Sequence, residues 1–351
     1  MQSTFKGRPG RWFLAAALCA ALAACSGGGG SPGETVGGGD DGGDVGAPGD
    51  RRSGQYLMAA ADAEEYTLTL DFDRRTWRVA GGDVDRGGSF SAGTDGEFLV
   101  SPSNSAGPGG ANTLRFQQFG DTVVGSMALG DVVVPFLASR ALASSVAGAA
   151  GVYNMLGRTV DSAGPENTTI GQGEITADGL LRTCNDVVIR TIDDCVSVTQ
   201  APVTVNGTVF TAVTPDGAIR FRVFQVEGER IFVRASASAG TTRRFVVGTP
   251  AGFSFAAGEF RGGATDASWG VDTISLPAYA RIAALPDGRT FNWTGTAESV
   301  GTGNTSLGNL LGITTVGAGG LFAIRSNALG LVAAARDSAQ LPGYFAIGRR
   351  Q

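Results

Sequence analysis

Alternation of apolar and polar residues with a period of two is the feature that most constrains this chain. Tyr66, Leu68, Leu70 and Phe72 are interleaved with Thr67, Thr69 and Asp71. An extended segment there has one face for a core and one for water. A turn at Asp73–Arg75 and a return through Trp77–Val79 complete a hairpin. Further strands are expected at Glu97–Val100, Leu114–Phe119, Thr122–Leu129 and Val132–Leu137, and Ser101–Ala111 reads as loop. Pro135 is expected at a sheet edge, because it brings no N–H to a ladder. Asp95-Gly96, Asp178-Gly179, Asp216-Gly217 and Asp287-Gly288 stand between strand-like runs, and such pairs tolerate the positive φ of tight hairpins. Glycine supplies 56 of 351 residues, about twice its usual share. With no long βαβ alternation, the expected class is all-β, with antiparallel barrel or sandwich lobes.

The chain divides by composition into 1–24, 25–54, 55–145, 146–250 and 251–351. Residues 25–54 are glycine-rich, carry Glu34, Asp40, Asp41, Asp44 and Asp50, and hold almost nothing apolar. Such a segment cannot bury enough surface to fold and is expected to be a disordered tether, with an r.m.s. span of about 30 Å. Ala138–Ala150 is alanine-rich and is expected to form a short helix before a second β segment opening at Gly151–Asn154. In that segment Ile219–Val226 and Arg230–Ala237 read as a hairpin turning at Glu227–Glu229. A three-residue turn pairs Val223 with Val233 on an inner face and sets Arg222 opposite Arg234 and Phe224 opposite Phe232. Arg220, Arg222, Phe224, Phe232 and Arg234 then share an outer face, and Arg and Phe are residues that interfaces favour. The last segment places strands at Arg289–Thr294, Leu321–Ile324, Leu331–Ala335 and Tyr344–Ile347. No repeat of fixed period is visible.

At the N-terminus Lys6, Arg8 and Arg11 precede an apolar run from Trp12 to Ala24. That run is too short to span a bilayer, and it ends in Leu22-Ala23-Ala24-Cys25. The stretch resembles the lipobox signal of bacterial lipoproteins. The resemblance implies that residues 1–24 are a signal peptide and that Cys25 is acylated (palmitate or a similar chain). Two or three acyl chains, at about 0.8 kcal/mol per buried methylene, hold a protein on a membrane almost permanently. Ser26 stands where similar lipoproteins retained at the inner membrane carry aspartate, which favours the outer membrane. Cys184 and Cys195 remain as a pair, and in an exported chain they are expected to form a disulfide.

Composition excludes much chemistry. There is no histidine, so a Ser-His-Asp triad and a His-ligated metal are impossible. Lys6 is the one lysine and lies in the leader, so a P-loop and a Schiff base go too. A formal net charge of −5 without basic clusters argues against nucleic acid. No cofactor and no metal site is expected, and the chain is not expected to be an enzyme. Paired carboxylates can hydrolyse glycosides without histidine, and Glu64, Glu65, Glu174, Asp193 and Asp194 are available for that alternative.

The strand at Gly151–Gly157 and the Asp178-Gly179 turn resemble the opening of avidin- and lipocalin-type barrels. The layout of lipobox, Gly-rich tether and β lobes is similar to surface lipoproteins of the transferrin-binding-protein and factor-H-binding kind. These resemblances imply calycin-like barrels and a binding role. The functional expectation is an outer-membrane-anchored lipoprotein, periplasmic or cell-surface, acting as a non-catalytic binding or envelope-interaction module. Its partners would be the membrane, through the lipid, and an unidentified protein or small molecule. The alternative is a structural envelope component with no specific ligand.

Overall fold

The computed structural model describes residues 49–351 apart from 101–113, 130–131, 161–167, 185, 187, 216, 238–242, 253, 286, 303–304, 316–319 and 336–342. Cys25, the leader, most of the tether and the Ser101–Ala111 loop therefore lie outside the described residues.

Three closed eight-stranded barrels follow one another along the chain. The first contains β1 (Gly54–Ala60), β2 (Glu65–Asp71), β3 (Thr76–Gly81), β4 (Val84–Ala92), β5 (Glu97–Val100), β6 (Arg115–Phe119), β7 (Thr122–Leu129) and β8 (Val132–Ser139). A single helical turn, α1 (Val146–Ala149), leads into the second. That barrel holds β9 (Gly151–Val160), β10 (Thr168–Ile175), β11 (Leu180–Cys184), β12 (Val198–Asn206), β13 (Val209–Thr214), β14 (Gly217–Val226), β15 (Glu229–Ala237) and β16 (Arg243–Pro250). The third holds β17 (Gly258–Ala264), β18 (Trp269–Ser275), β19 (Ala278–Ala284), β20 (Thr290–Thr302), β21 (Thr305–Thr315), β22 (Leu321–Ser326), β23 (Gly330–Ala335) and β24 (Phe345–Arg350). Each is an up-and-down antiparallel meander whose last strand pairs with its first. Closure removes the unpaired edges that an open sheet of this composition would expose.

Period-two alternation fills each lumen. Phe72, Phe90, Phe98 and Phe116 meet inside the first barrel with ring centroids 5.0 to 5.5 Å apart. Phe210, Phe221 and Phe232 stack inside the second, at 5.4 and 4.8 Å. The third is packed with Phe260, Tyr279, Leu311 and Leu321 around a buried Arg281–Asp272 ion pair. Where its strands β17 and β24 cross, Gly262 faces Gly348, and a Cβ on Gly262 would lie 1.9 Å from the Ile347 carbonyl. Side chains of any size would force these two strands apart.

The barrels also pack against one another. Phe224, Ile231, Val233 and Phe245 on the outside of the second barrel join Leu137 of the first and Ile324 and Phe345 of the third in one apolar core. Phe245 and Phe345 meet edge to face at 5.2 Å. Strands in this shared region are buried on both faces, as all six residues of β23 are. Their sequences accordingly lose the alternation and read as continuous apolar runs. Polar ties cross the same seams. Arg222 donates to both oxygens of Glu65 at 2.8 Å, and Arg261 donates to the buried Glu97 at 2.7 Å. Asn154 and Asn309, both fully buried, hydrogen bond to each other between the second and third barrels. Residues Ala47–Gln351 accordingly form one compact unit.

Two expectations are corrected. Pro135 is not at an edge, because β8 pairs with both β7 and β1. It sits just past the end of the β1 ladder, where its carbonyl accepts from Ala61 N at 3.0 Å. The alanine-rich stretch from 138 to 150 holds the expected short helix as α1, a single turn capped by Ser145, while β8 takes its first residues to Ser139. The β14–β15 turn has two residues, Glu227 and Gly228, with φ of 46° and 88°. Positive φ at both central positions marks the tight hairpin turn that matches strand twist. Relative to a three-residue turn the register moves by one, so Arg222 faces Val233 and Val223 faces Phe232. A one-residue shift turns every side chain of β15 to the opposite face.

Candidate functional site

That register divides the five residues expected to share a surface. Phe232 is in the lumen of the second barrel with Phe221, and Arg234 is buried on the same face of β15. Burial, with Arg244's positive charge adding to it, pushes the Arg234 guanidinium down to about 10. Arg222 and Phe224 are on the outer face of β14, where Phe224 is fully buried between barrels. Arg222 is held by Glu65 and by Thr208 Oγ1 at 2.7 Å. Of the five, Arg220 alone is exposed.

The disulfide forms between Cys184 and Cys195. Inside its loop Asp186 accepts from the backbone N–H groups of Val196 and Ser197, each at 3.0 Å, and from Arg190 at 3.1 Å. These bonds preset the loop's shape and hold the segment that follows it, where Val196 beside the disulfide is exposed. The five carboxylates considered for glycoside chemistry are tied into ion pairs and turns. Glu64 faces Arg243, Glu65 faces Arg222, Glu174 and Asp193 meet at Arg182, and Asp194 accepts from Thr191.

A cleft of about 550 Å³ opens where all three barrels come together. The first barrel contributes Arg51 and Arg52 from the segment entering β1, Gln118–Asp121 from the β6–β7 turn, and Arg140 beyond β8. The second contributes Glu227 from the β14–β15 turn, and the third contributes Arg349 from β24.

Two of its four arginines are committed. Arg52 pairs with Asp50 at 2.6 Å and stacks over Phe72 at 4.2 Å. Its side-chain and backbone hydrogen bonds hold the Asp50 carboxyl down at about 2. Arg140 donates to Asp121 at 2.6 Å and to the Arg51 carbonyl at 2.8 Å, which fixes the entering segment on the barrel rim. The other two make no ion pair among the described residues. Arg51 projects from an exposed position. Arg349 lies 4.4 Å over the buried Phe119 ring. Partial burial lowers its pKa, opposed by Glu227's charge. A guanidinium stacked on an aromatic face keeps its N–H edge free for an acceptor.

None of the cleft residues was singled out from sequence. Arg51-Arg52 and Arg349-Arg350 are visible as pairs, but nothing local says that residues so far apart meet.

No protein-family model matches the chain, and no curated protein does. Among solved structures, isotype 1 transferrin binding protein B from serogroup B Neisseria meningitidis is 9% identical over 82% of this chain, with a TM-score of 0.28. A double mutant of transferrin binding protein B from Haemophilus parasuis is 8% identical over 86% of this chain, with a TM-score of 0.21. This chain spans 66% of the length of each. The DNA polymerase sliding clamp of Pseudomonas aeruginosa matches at 9% identity over 88% of this chain and 94% of its own, with a TM-score of 0.13. Similarities of this size assign neither family nor function.

Proposed function

We propose that the protein is an outer-membrane lipoprotein anchored through Cys25, whose three fused barrels form a rigid, non-catalytic binding module. The observation that carries the binding reading is the junction cleft. Each barrel buries a packed side-chain cluster, and residues from all three meet around this open volume. One rigid body thus presents one composite site whose geometry depends on the seams at Glu65–Arg222 and Glu97–Arg261. The anchor is supported by the lipobox and by the glycine-rich segment that separates it from the folded body. The absence of histidine and of lysine beyond Lys6 supports a role without chemistry.

Two measurements test the reading. In cells, Cys25→Ala moves the protein from the membrane fraction to the soluble fraction; continued membrane retention refutes the anchor. Affinity capture from detergent-solubilised envelopes recovers a ligand with the parent chain and loses it with Arg51→Gln/Arg349→Gln. If no ligand is recovered reproducibly, or the double change is silent, the binding role fails and the structural-component alternative stands.

A further inference from the structure

We infer that the junction cleft is a phosphate-binding site, taking the phosphate of an anionic lipid headgroup or of a soluble phosphorylated ligand. The inference rests on the binding-module reading above and names the ligand chemistry of that site.

Donor geometry is the first argument. Arg51 comes from the segment entering the first barrel, Arg140 from beyond β8, and Arg349 from β24 of the third barrel. With Arg140 committed to Asp121 and the Arg51 carbonyl, Arg51 and Arg349 are the arginines without an ion pair among the described residues that line this one volume of about 550 Å³. A planar carboxylate is satisfied by a single Arg fork, whereas a tetrahedral phosphate offers acceptor oxygens in several directions at once. Charge is the second argument. Asp121 is occupied by Arg140, and Arg51 and Arg349 make no ion pair among the described residues, so the four lining arginines outnumber the lining carboxylates Asp121 and Glu227. The stacking of Arg349 on Phe119 is the third, because it holds that guanidinium in place before a ligand arrives and lowers the entropy lost on binding.

The test uses residues 25–351 with Cys25→Ala, which keeps the whole folded body and removes any acyl chain. Co-sedimentation is measured with vesicles of phosphatidylcholine alone and with vesicles also containing phosphatidylglycerol. Calorimetry with inorganic phosphate is the second arm. Binding to the anionic vesicles only, abolished by salt, supports the headgroup as source. Binding of inorganic phosphate without vesicle binding supports a soluble phosphorylated ligand. In either case Arg51→Gln/Arg349→Gln weakens binding about thirtyfold, at about 1 kcal/mol per arginine near an anionic surface. Arg51→Gln alone, at an exposed side chain that cannot disturb folding, weakens it about fivefold, and Arg289→Gln on the third barrel changes nothing. Equal binding by the double variant, or binding to neither probe, overturns the inference. If envelope capture still depends on Arg51 and Arg349 while both probes fail, the cleft binds another chemistry. The phosphate assignment then falls and the binding module stands.

Discussion

Replacing Asp272 by asparagine tests whether the third barrel is held together as described. Arg281 is fully buried in that lumen, and Asp272 is 3% exposed. The guanidinium donates to Asp272 and, at 3.1 Å, to Ser268 Oγ. Tyr279 donates to the other Asp272 oxygen at 2.8 Å. Burial pushes the Asp272 carboxyl up, and the charge of Arg281 opposes that push. Asp272→Asn keeps shape and hydrogen-bonding oxygen but leaves a buried guanidinium without its counter-charge. Breaking a buried pair from one side costs about 3–5 kcal/mol, a large part of the roughly 5–15 kcal/mol that a folded domain has in total. Urea unfolding should therefore show a loss of about 3 kcal/mol or more. Asp272→Leu/Arg281→Met/Tyr279→Phe removes the whole polar set at similar volume and should recover most of the loss, since well-packed apolar replacements of buried pairs are near neutral. An Asp272→Asn variant within 1 kcal/mol of the parent, a margin set by ordinary surface changes of about 0.5 kcal/mol, would refute the buried-charge argument. So would a triple variant as unstable as the single one.

Gly262→Ala places a methyl 1.9 Å from the Ile347 carbonyl and should cost about 3 kcal/mol, the upper end of overpacking; a change without effect on unfolding would refute the close approach of β17 and β24. Serine at both Cys184 and Cys195 reopens a loop with a sequence separation of 11 and should lower stability by about 3 kcal/mol in the chain-entropy model, which urea titration of parent and variant under non-reducing conditions reads directly. Asp62 is held up by burial, which outweighs the hydrogen bond from Tyr66. A carboxyl whose folded pKa is raised favours the folded state most when protonated. Its contribution is present below the unfolded value of 3.8 and is lost as pH rises through the raised value. Asp62→Asn should remove that loss, so its Tm relative to the parent should climb across this window; parallel Tm–pH curves would contradict the assignment.

Sequence patterning was enough to place most strands, and the reason is local. In β2 the apolar residues must face one side, whatever the rest of the chain does, and Tyr66–Phe72 shows this directly. The one sequence pairing that needed a turn length, β14 with β15, came out one residue off. Glu227-Gly228 carries no familiar hairpin signature, yet it adopts positive φ at both positions. That single residue decided whether Phe232 and Arg234 face a lumen or a surface. Equality of the three barrels was invisible for a similar reason. Closure depends on backbone pairing and strand number, which many unrelated sequences satisfy, so no repeat of residues is needed.

The sequence by itself determined the all-β class, the catalytic groups this chain cannot use, and Cys184 and Cys195 as partners. Each follows from residue identity or from a period that a single strand imposes. Tertiary structure alone decided that the barrels close and that their outer faces share a core, which is why β23 reads as an unbroken apolar run. It alone decided, too, that Arg51, Arg140 and Arg349 border one cleft. Their meeting depends on how three barrels dock through Glu65–Arg222, Glu97–Arg261 and Asn154–Asn309, and docking is set by complementary surfaces folded from distant segments.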